Sequence, residues 1–299
     1  MRVAIVANPA ARAGAHSDAA DRAAGRLRTR GITTSIISGG SAADTTTLLK
    51  AALEIGVDGV LVAGGDGTVN LALQQVAGTG VPLGIIPIGT GNDFAAVLGL
   101  RELDVDAAAD VVAAGRTRDV DLARITRADG STALFGTVLA SGFDARVNDR
   151  ANRMRWPRGS SRYTIATLVE FLTLHGVAFA LELEHADGRV ERVQRDLVLA
   201  AVGNGPSYGG GIPICPDADL GDGLLDVTVV TPAGRARLLR LLPRLYRGRH
   251  TTVPEVTTYR VRGIRLDAAA ATAYADGDPV GTLPLRVDAA PGALRVFSR

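Results

Sequence analysis

The sequence predicts an N-terminal doubly wound parallel α/β domain joined to a C-terminal, mainly antiparallel β-sandwich domain, with a site in the cleft between them. Three observations predict this. In the first 100 residues, continuous apolar runs alternate with helical stretches, the pattern of a parallel sheet covered on both faces. Beyond about residue 120, β-rich segments turn at Asp-Gly dipeptides, Asp129-Gly130 and Asp187-Gly188, which favour hairpins. The chain of 299 residues is also long enough for two cores.

The elements follow in order. Strands are expected at 2–8 (RVAIVAN), 32–38 (ITTSIIS), 58–65 (DGVLVAGG) and 82–89 (PLGIIPIG). Helices between them are expected at 16–31, 42–56 and 68–78, the first stopped by Gly31. Right-handed crossovers then give the doubly wound layer. Hairpins are expected in 120–142 and 176–204, with further strands at 223–230, 257–268, 271–281, 283–289 and 293–299. Helices are expected near 160–175 and 235–247. The domains are read as 1–120 and 121–289, with 290–299 returning to the first.

Composition narrows the class. There are 33 basic and 31 acidic side chains, a net charge of +2. So even a balance does not suit a nucleic-acid binder. Lys50 is the only lysine, so no Walker-type phosphate lysine is present in any motif. Cys215 is the only cysteine, which fits a reducing, cytoplasmic setting. The start, MRVAIVANPA, has too short an apolar run for a signal peptide. Glu170 and His175 interrupt the longest apolar region, which reads as a helix and a strand rather than a membrane span.

Two turns carry the chemistry. The third strand ends in LVAGGDGTVN and the fourth in PIGTGNDFA. Ligands bind at the carboxyl ends of strands in such sheets. Glycines let the backbone approach an anion, and the next helix presents free N–H groups there. Either turn alone could be a tight connection with no ligand. Together they bring Asp66 and Asp93 to one rim, and two carboxylates beside a phosphate call for a divalent cation.

GGDGTVN followed by GTGNDFA resembles the diacylglycerol kinase catalytic-domain family, in its bacterial soluble lipid kinase branch, related to sphingosine and ceramide kinases. The similarity runs through essentially the whole chain. It implies an enzyme that transfers phosphate from ATP, with Mg²⁺, to the hydroxyl of diacylglycerol or a related lipid alcohol. Gly64, Gly65, Asp66, Gly67, Thr68, Val69 and Asn70 would hold the phosphates, with Gly89, Thr90 and Asn92 of the second turn. Ser38 stands where the family has a threonine or serine near the nucleotide. Asn8 falls in the opening Asn-Pro motif, which here runs NPAARAG where serine is more usual after the proline.

The second domain supplies acidic motifs. Residues 216–227 (PDADLGDGLLDV) pack four aspartates into a glycine-broken loop, either a cation-binding loop or a solvated turn. The resemblance implies a structural Mg²⁺ on the carbonyl of Asp219, the carboxylate of Asp222 and the carbonyl of Leu224. Gly221 replaces an acid common in the family. In 274–281 (YADGDPVG), Asp276 and Asp278 flank Gly277. That is a hairpin tip, or, by the family's Asp-Gly-Glu motif, the source of the catalytic base; Asp278 stands where glutamate is usual, so both acids are candidates. Asp121 resembles an aspartate that joins Asp66 and Asp93 in a metal and water network, or is a surface acid on a strand. Cys215 reads as packing rather than a nucleophile.

A lipid kinase without a span must reach the surface as a peripheral protein. Residues 234–250 form a basic amphipathic stretch, expected to break at Pro243, and 146–163 a basic loop around Trp156. Each suits anionic headgroups or is an ordinary surface segment. Family members are often homodimers. The alternatives are a kinase of a soluble substrate such as NAD, which GTGNDFA and the 216–227 loop fit poorly, and an inactive nucleotide- or lipid-binding protein, which would have lost these carboxylates. A dinucleotide oxidoreductase would need G-x-G-x-x-G after the first strand.

Overall fold

The computed structural model describes residues 1–7, 18–154 and 161–299. Strands β1 (Arg2–Ala7), β2 (Thr33–Ile37), β3 (Gly59–Gly64) and β4 (Leu83–Pro87) pair in parallel in the order β2-β1-β3-β4. Helices α1 (Ala19–Thr29), α2 (Ala42–Ile55) and α3 (Asp66–Val76) connect them. β3 is buried along its whole length, as a strand covered on both faces must be. α2 starts where the Ser41 hydroxyl accepts from the Asp44 N–H at 3.1 Å and stops at Gly56 in the left-handed region.

Helices α4 (Asp93–Val97) and α5 (Val105–Ala114) lead into β5 (Thr117–Arg127) and β6 (Thr132–Phe135), the hairpin expected at Asp129-Gly130. Next come β7 (Val138–Gly142), α6 (Phe143–Arg153), α7 (Ser161–Leu172) and the antiparallel pair β8 (Val177–Glu184) and β9 (Val190–Leu197). β10 (Leu199–Gly203), β11 (Leu225–Val230), α8 (Arg235–Leu245), β12 (Val256–Val261), β13 (Gly263–Ala268), β14 (Thr272–Ala275), β15 (Asp278–Thr282) and β16 (Leu285–Phe297) complete the chain. A second sheet runs β12-β11-β10-β7-β14-β15 and is antiparallel throughout. Phe135, Phe179, Leu183, Val202, Val227 and Leu285 share one core between the two sheets, a sandwich.

Three local expectations are corrected. Residues 283–289 and 293–299 are not two strands but one, β16. It pairs with β5 from Leu285↔Arg127 to Phe297↔Thr117, and an irregularity between Ala290 and Leu294 absorbs the Pro-Gly step. Its other edge pairs with β13 and then, at Val296↔Leu83, with β4, so the sheet is continuous from the parallel strands into the sandwich. The described start of the 146–163 segment is helical (α6). Arg146 and Arg150, one turn apart, both reach the buried Glu170 of α7, at 3.4 and 2.6 Å; residues 155–160, with Trp156, lie outside the described residues. α8 does not break at Pro243 but runs to Leu245. The carbonyl that Pro243 leaves without a donor belongs to Leu239, a half-exposed residue where water can take its place.

Asp121 on β5 is 4% exposed. Its Oδ2 accepts from the Gly223 N–H and its Oδ1 from the Gly292 N–H, both at 2.7 Å. It is therefore neither a surface acid nor free, and it ties the acidic loop to the β16 irregularity. Among the described residues no helix is long and apolar enough to cross a membrane. We expect Asp121→Ala, which removes the acceptor shared by the Gly223 and Gly292 N–H groups, to lower unfolding free energy by about 1–3 kcal/mol. The urea midpoint, measured without Mg²⁺ or nucleotide, checks this.

Candidate functional site

The turns after β2, β3 and β4 and the β14–β15 turn enclose a cleft of about 650 Å³. From the first sheet come Gly40, Ser41, Thr45, Gly65, Asp66, Gly67, Thr68, Gly89, Thr90 and Asp93; from the second come Asp276, Gly277 and Asp278. The N-termini of α2 and α3 both open onto it. Their first N–H groups lack intrahelical acceptors and carry partial positive charge, which makes this wall suited to an anion.

The wall is held together by Asp66. Its Oδ2 accepts from the Asn92 N–H at 2.9 Å and its Oδ1 from the Asp93 N–H at 2.7 Å. The second turn is closed on itself by the Asn92 side chain. Asn92 Oδ1 accepts from the Gly89 N–H, and Nδ2 donates to the carbonyls of Pro87 and Gly89. Asn92 stands at φ 54°, a conformation asparagine tolerates better than most residues.

Two kinds of glycine line these turns. A Cβ on Gly89 would lie 2.5 Å from Gly65 Cα, and one on Gly64 would lie 2.6 Å from Thr68 Cβ. Those glycines are required because the chain packs against itself. A Cβ on Gly67 meets nothing within 4 Å; it would only enter the cleft. Thr68 and Thr90 line the cleft, whereas Val69 is buried against the parallel strands, with Val6, Val62 and Ile85 in one cluster. Ser38 is not among the described residues that line the wall; its hydroxyl is buried and has no hydrogen-bond partner among the described residues. Asn8 lies outside the described residues.

The opposite wall is a two-residue hairpin turn. Asp276 (φ 50°) and Gly277 (φ 86°) are both left-handed, as a type I′ turn requires. The Asp276 carboxylate accepts three hydrogen bonds: from the Gly136 N–H (2.8 Å), the Thr137 N–H (2.8 Å) and the Thr137 hydroxyl (2.5 Å). Burial, with repulsion from Asp66, still holds it above the usual carboxylate range against those donors. Asp278 is exposed and accepts from Asn70 Nδ2 at 3.2 Å. It also borders an adjoining groove of about 450 Å³ lined by Gly67, Gln74, Arg127 and Val280. Asp93 Oδ1 accepts from the Gly210 N–H at 2.8 Å; burial, then Asp66, raise its pKa against that bond.

Asp66, Asp93, Asp276 and Asp278 are thus brought to one cleft, and Asp121 is not. In the acidic loop, Asp219 Oδ1 accepts from the Gly221 N–H and Asp222 Oδ1 from the Leu224 N–H, while Asp222 Oδ2 pairs with Arg260. Asp226 beside them has a buried oxygen that makes no hydrogen bond among the described residues but lies 3.8 Å from the Arg260 guanidinium. Burial and Asp217 push its pKa up to about 6. Cys215 is buried and its thiol is pushed up to about 12 by burial, which leaves it unreactive.

Sequence reading passed over Gly40, Ser41 and Thr45. The signal was present: Gly39-Gly40-Ser41 ends a strand and opens a helix, as the other two turns do. We expect Gly67→Ala to leave stability unchanged or raise it by up to ~1 kcal/mol, and Gly89→Ala to cost about 1–3 kcal/mol. Paired thermal melts check the contrast.

Residues 2–125 match the family model "Diacylglycerol kinase catalytic domain", and residues 137–298 match "YegS C-terminal NAD kinase beta sandwich-like domain". A Mycobacterium tuberculosis protein named diacylglycerol kinase is 48% identical over 296 residues, spanning 99% of this chain and 94% of the relative. A Klebsiella pneumoniae protein named "Probable lipid kinase YegS-like" is 28% identical over 292 residues, spanning 94% and 92%. A crystal structure of a diacylglycerol kinase from Bacillus anthracis superimposes with a TM-score of 0.75, covering 100% of this chain and 97% of that one at 22% identity; that likeness is one of fold. With both domains matched in order, the chain belongs to the family of diacylglycerol kinases and YegS-like lipid kinases.

Proposed function

We propose that this chain is an ATP- and Mg²⁺-dependent kinase that phosphorylates the hydroxyl of diacylglycerol, or a related lipid alcohol, to give phosphatidic acid or its counterpart. One observation carries the reading. A cleft has helix N-termini and a glycine left open on one wall, and two carboxylates from the other sheet facing them. The first wall suits a polyphosphate; the second suits a hydroxyl that must lose a proton.

Phosphoryl transfer asks mainly for positioning and charge compensation. In this reading the turns of Gly64 to Asn70 and Gly89 to Asn92, with Ser41, cradle the phosphates through backbone N–H groups. Asp66 keeps the two turns in register. Among the described residues no three His, Cys, Asp or Glu side chains form a ready-made metal shell. The carboxylates at the cleft mouth fit a Mg²⁺ held jointly by one or two of them and by phosphate oxygens, with Asp93 and Asp66 as its protein partners. Bound there, Mg²⁺ would offset charge on the transferring phosphoryl group. A second Mg²⁺ would suit the acidic loop, on Asp219, Asp222 and Leu224, as the resemblance implies, where it would share the carboxylates with Arg260, which pairs with Asp222 and lies 3.8 Å from Asp226.

We assign the base to Asp278. Asp276 has both oxygens engaged by three fixed donors, which suits it to holding the turn. Asp278 spends one oxygen on Asn70 and reaches both the cleft and the adjoining groove, so it can meet an alcohol arriving from that side. The reading has the chain working at a membrane surface as a peripheral, cytoplasmic protein, and a homodimer is compatible with it.

Labelled ATP and Mg²⁺, offered with diacylglycerol, sphingosine-like, ceramide-like and polyprenol alcohols and with NAD, test the function. Label in a lipid product is the expected result, and label in NAD alone would overturn the reading. Asp278→Asn should lower kcat by about 10²–10⁴-fold with little change in melting temperature. Asp276→Asn should lower both. Full activity in both variants would refute the assignment.

A further inference from the structure

Helix α8 carries two apolar stripes, and only one of them is used by the fold. Leu238, Leu241 and Leu245, spaced three and four apart, face inward and pack with Val230, Val253 and Val256. Leu239, Leu242 and Tyr246 repeat the same spacing one step round the helix. They are 51%, 42% and 66% exposed. Residues three and four apart share a helix face, so these three make a continuous outward row.

Arg237, Arg240 and Arg244 make a parallel row by the same spacing, and Arg247 and Arg249 follow it. No acidic residue occurs between Asp226 and Glu255. Arg237 pairs with Glu255. Arg240, Arg244, Arg247 and Arg249 have no carboxylate partner among the described residues. An apolar row beside an unneutralised cationic row is what a helix lying in a bilayer interface presents.

We propose that this outward face of α8 docks the protein onto an anionic bilayer, with Leu239, Leu242 and Tyr246 entering the headgroup–acyl boundary and the arginines on lipid phosphates. The choice of a bilayer rests on the lipid-kinase reading and on charge. A second copy would fit poorly, because a twofold contact sets a patch against itself and would stack these arginines on one another.

The test uses the whole chain and vesicles of phosphatidylcholine, alone or mixed with phosphatidylglycerol. Wild-type protein should co-sediment with the mixed vesicles, less so as salt rises. Leu239→Ser/Leu242→Ser/Tyr246→Ser and, separately, Arg240→Ala/Arg244→Ala should each weaken that binding by about tenfold or more, with unchanged melting temperatures. Phosphorylation of a water-soluble short-chain diacylglycerol should be unaffected, and that of vesicle-borne diacylglycerol should fall. Variants that sediment like the wild type, binding that is equal on neutral vesicles, or a dimer lost in the leucine variant would overturn the proposal. Vesicle binding through α8 in a chain that phosphorylates no lipid would uphold the docking face while refuting the kinase reading.

Discussion

The glycine-rich wall of the cleft depends on one carboxylate accepting two backbone N–H groups from another turn. Asp66 begins α3, yet its side chain serves α4, taking the N–H groups of Asn92 and Asp93. Hydrogen bonds to a charged acceptor are each worth about 1.5–3 kcal/mol, enough to fix a turn that has an αL residue at its centre. The consequence is steric: the two turns come so close that Gly65 and Gly89 touch through their backbones. A further consequence is electrostatic. Asp93 and Asp276 are both pushed above the ordinary carboxylate range, by burial first and by Asp66 as well. The turn that shapes the wall therefore concentrates negative charge at its mouth, a cost that a divalent cation would relieve.

The other wall is tied to distant loops by one hydrogen-bonded path. Asp276 is held by Gly136 and Thr137. The Thr137 carbonyl accepts from the Asn204 and Gly205 N–H groups. The Asn204 amide donates to the carbonyls of Gly136 and Asp121, and the Asp121 carboxylate holds Gly223 and Gly292. The position of the hairpin turn is thus coupled to the acidic loop and to the irregularity in β16. Asp121 is remote from the cleft wall but belongs to what positions it. On the other side, the Gln74 side chain of α3 both donates to and accepts from the Leu134 backbone of β6, a second clamp between the two halves.

Much of this was legible in the sequence, for local reasons. Parallel strands announced themselves as unbroken apolar runs, and hairpins as Asp-Gly pairs. The paired glycine turns and the Asp-Gly-Asp tip named four acids that do meet in one cleft. What stayed hidden was set by partners far along the chain. β16 is one strand because β5 offers an unbroken edge, which no window around Pro291-Gly292 could reveal. In α6, Arg146 and Arg150 share Glu170 of a later element, a pairing that no window around residues 146–163 could reveal. α5 was missed although Asp104 caps it and Gly115 ends it, a pair of signals that local reading could have used. Asp121, read as a surface or metal-side acid, is a buried acceptor because two distant loops converge on it.

The glycine-rich motif therefore mixes two demands that look identical in a sequence. Gly64 makes room for the Thr68 side chain, and Gly65 and Gly89 for each other. Gly91 makes room for the Asp66 carboxylate. All four would be needed even if no ligand ever bound. Gly67 is different: nothing among the described residues occupies the space its side chain would take, and its backbone sits in the first turn of α3 with ordinary helical geometry. Helix propensity alone would favour alanine there. A glycine that the described fold does not require, placed where it costs helix stability and where a helix N-terminus meets the cleft, is the position at which a bound ligand, rather than the chain itself, would account for the motif's shape.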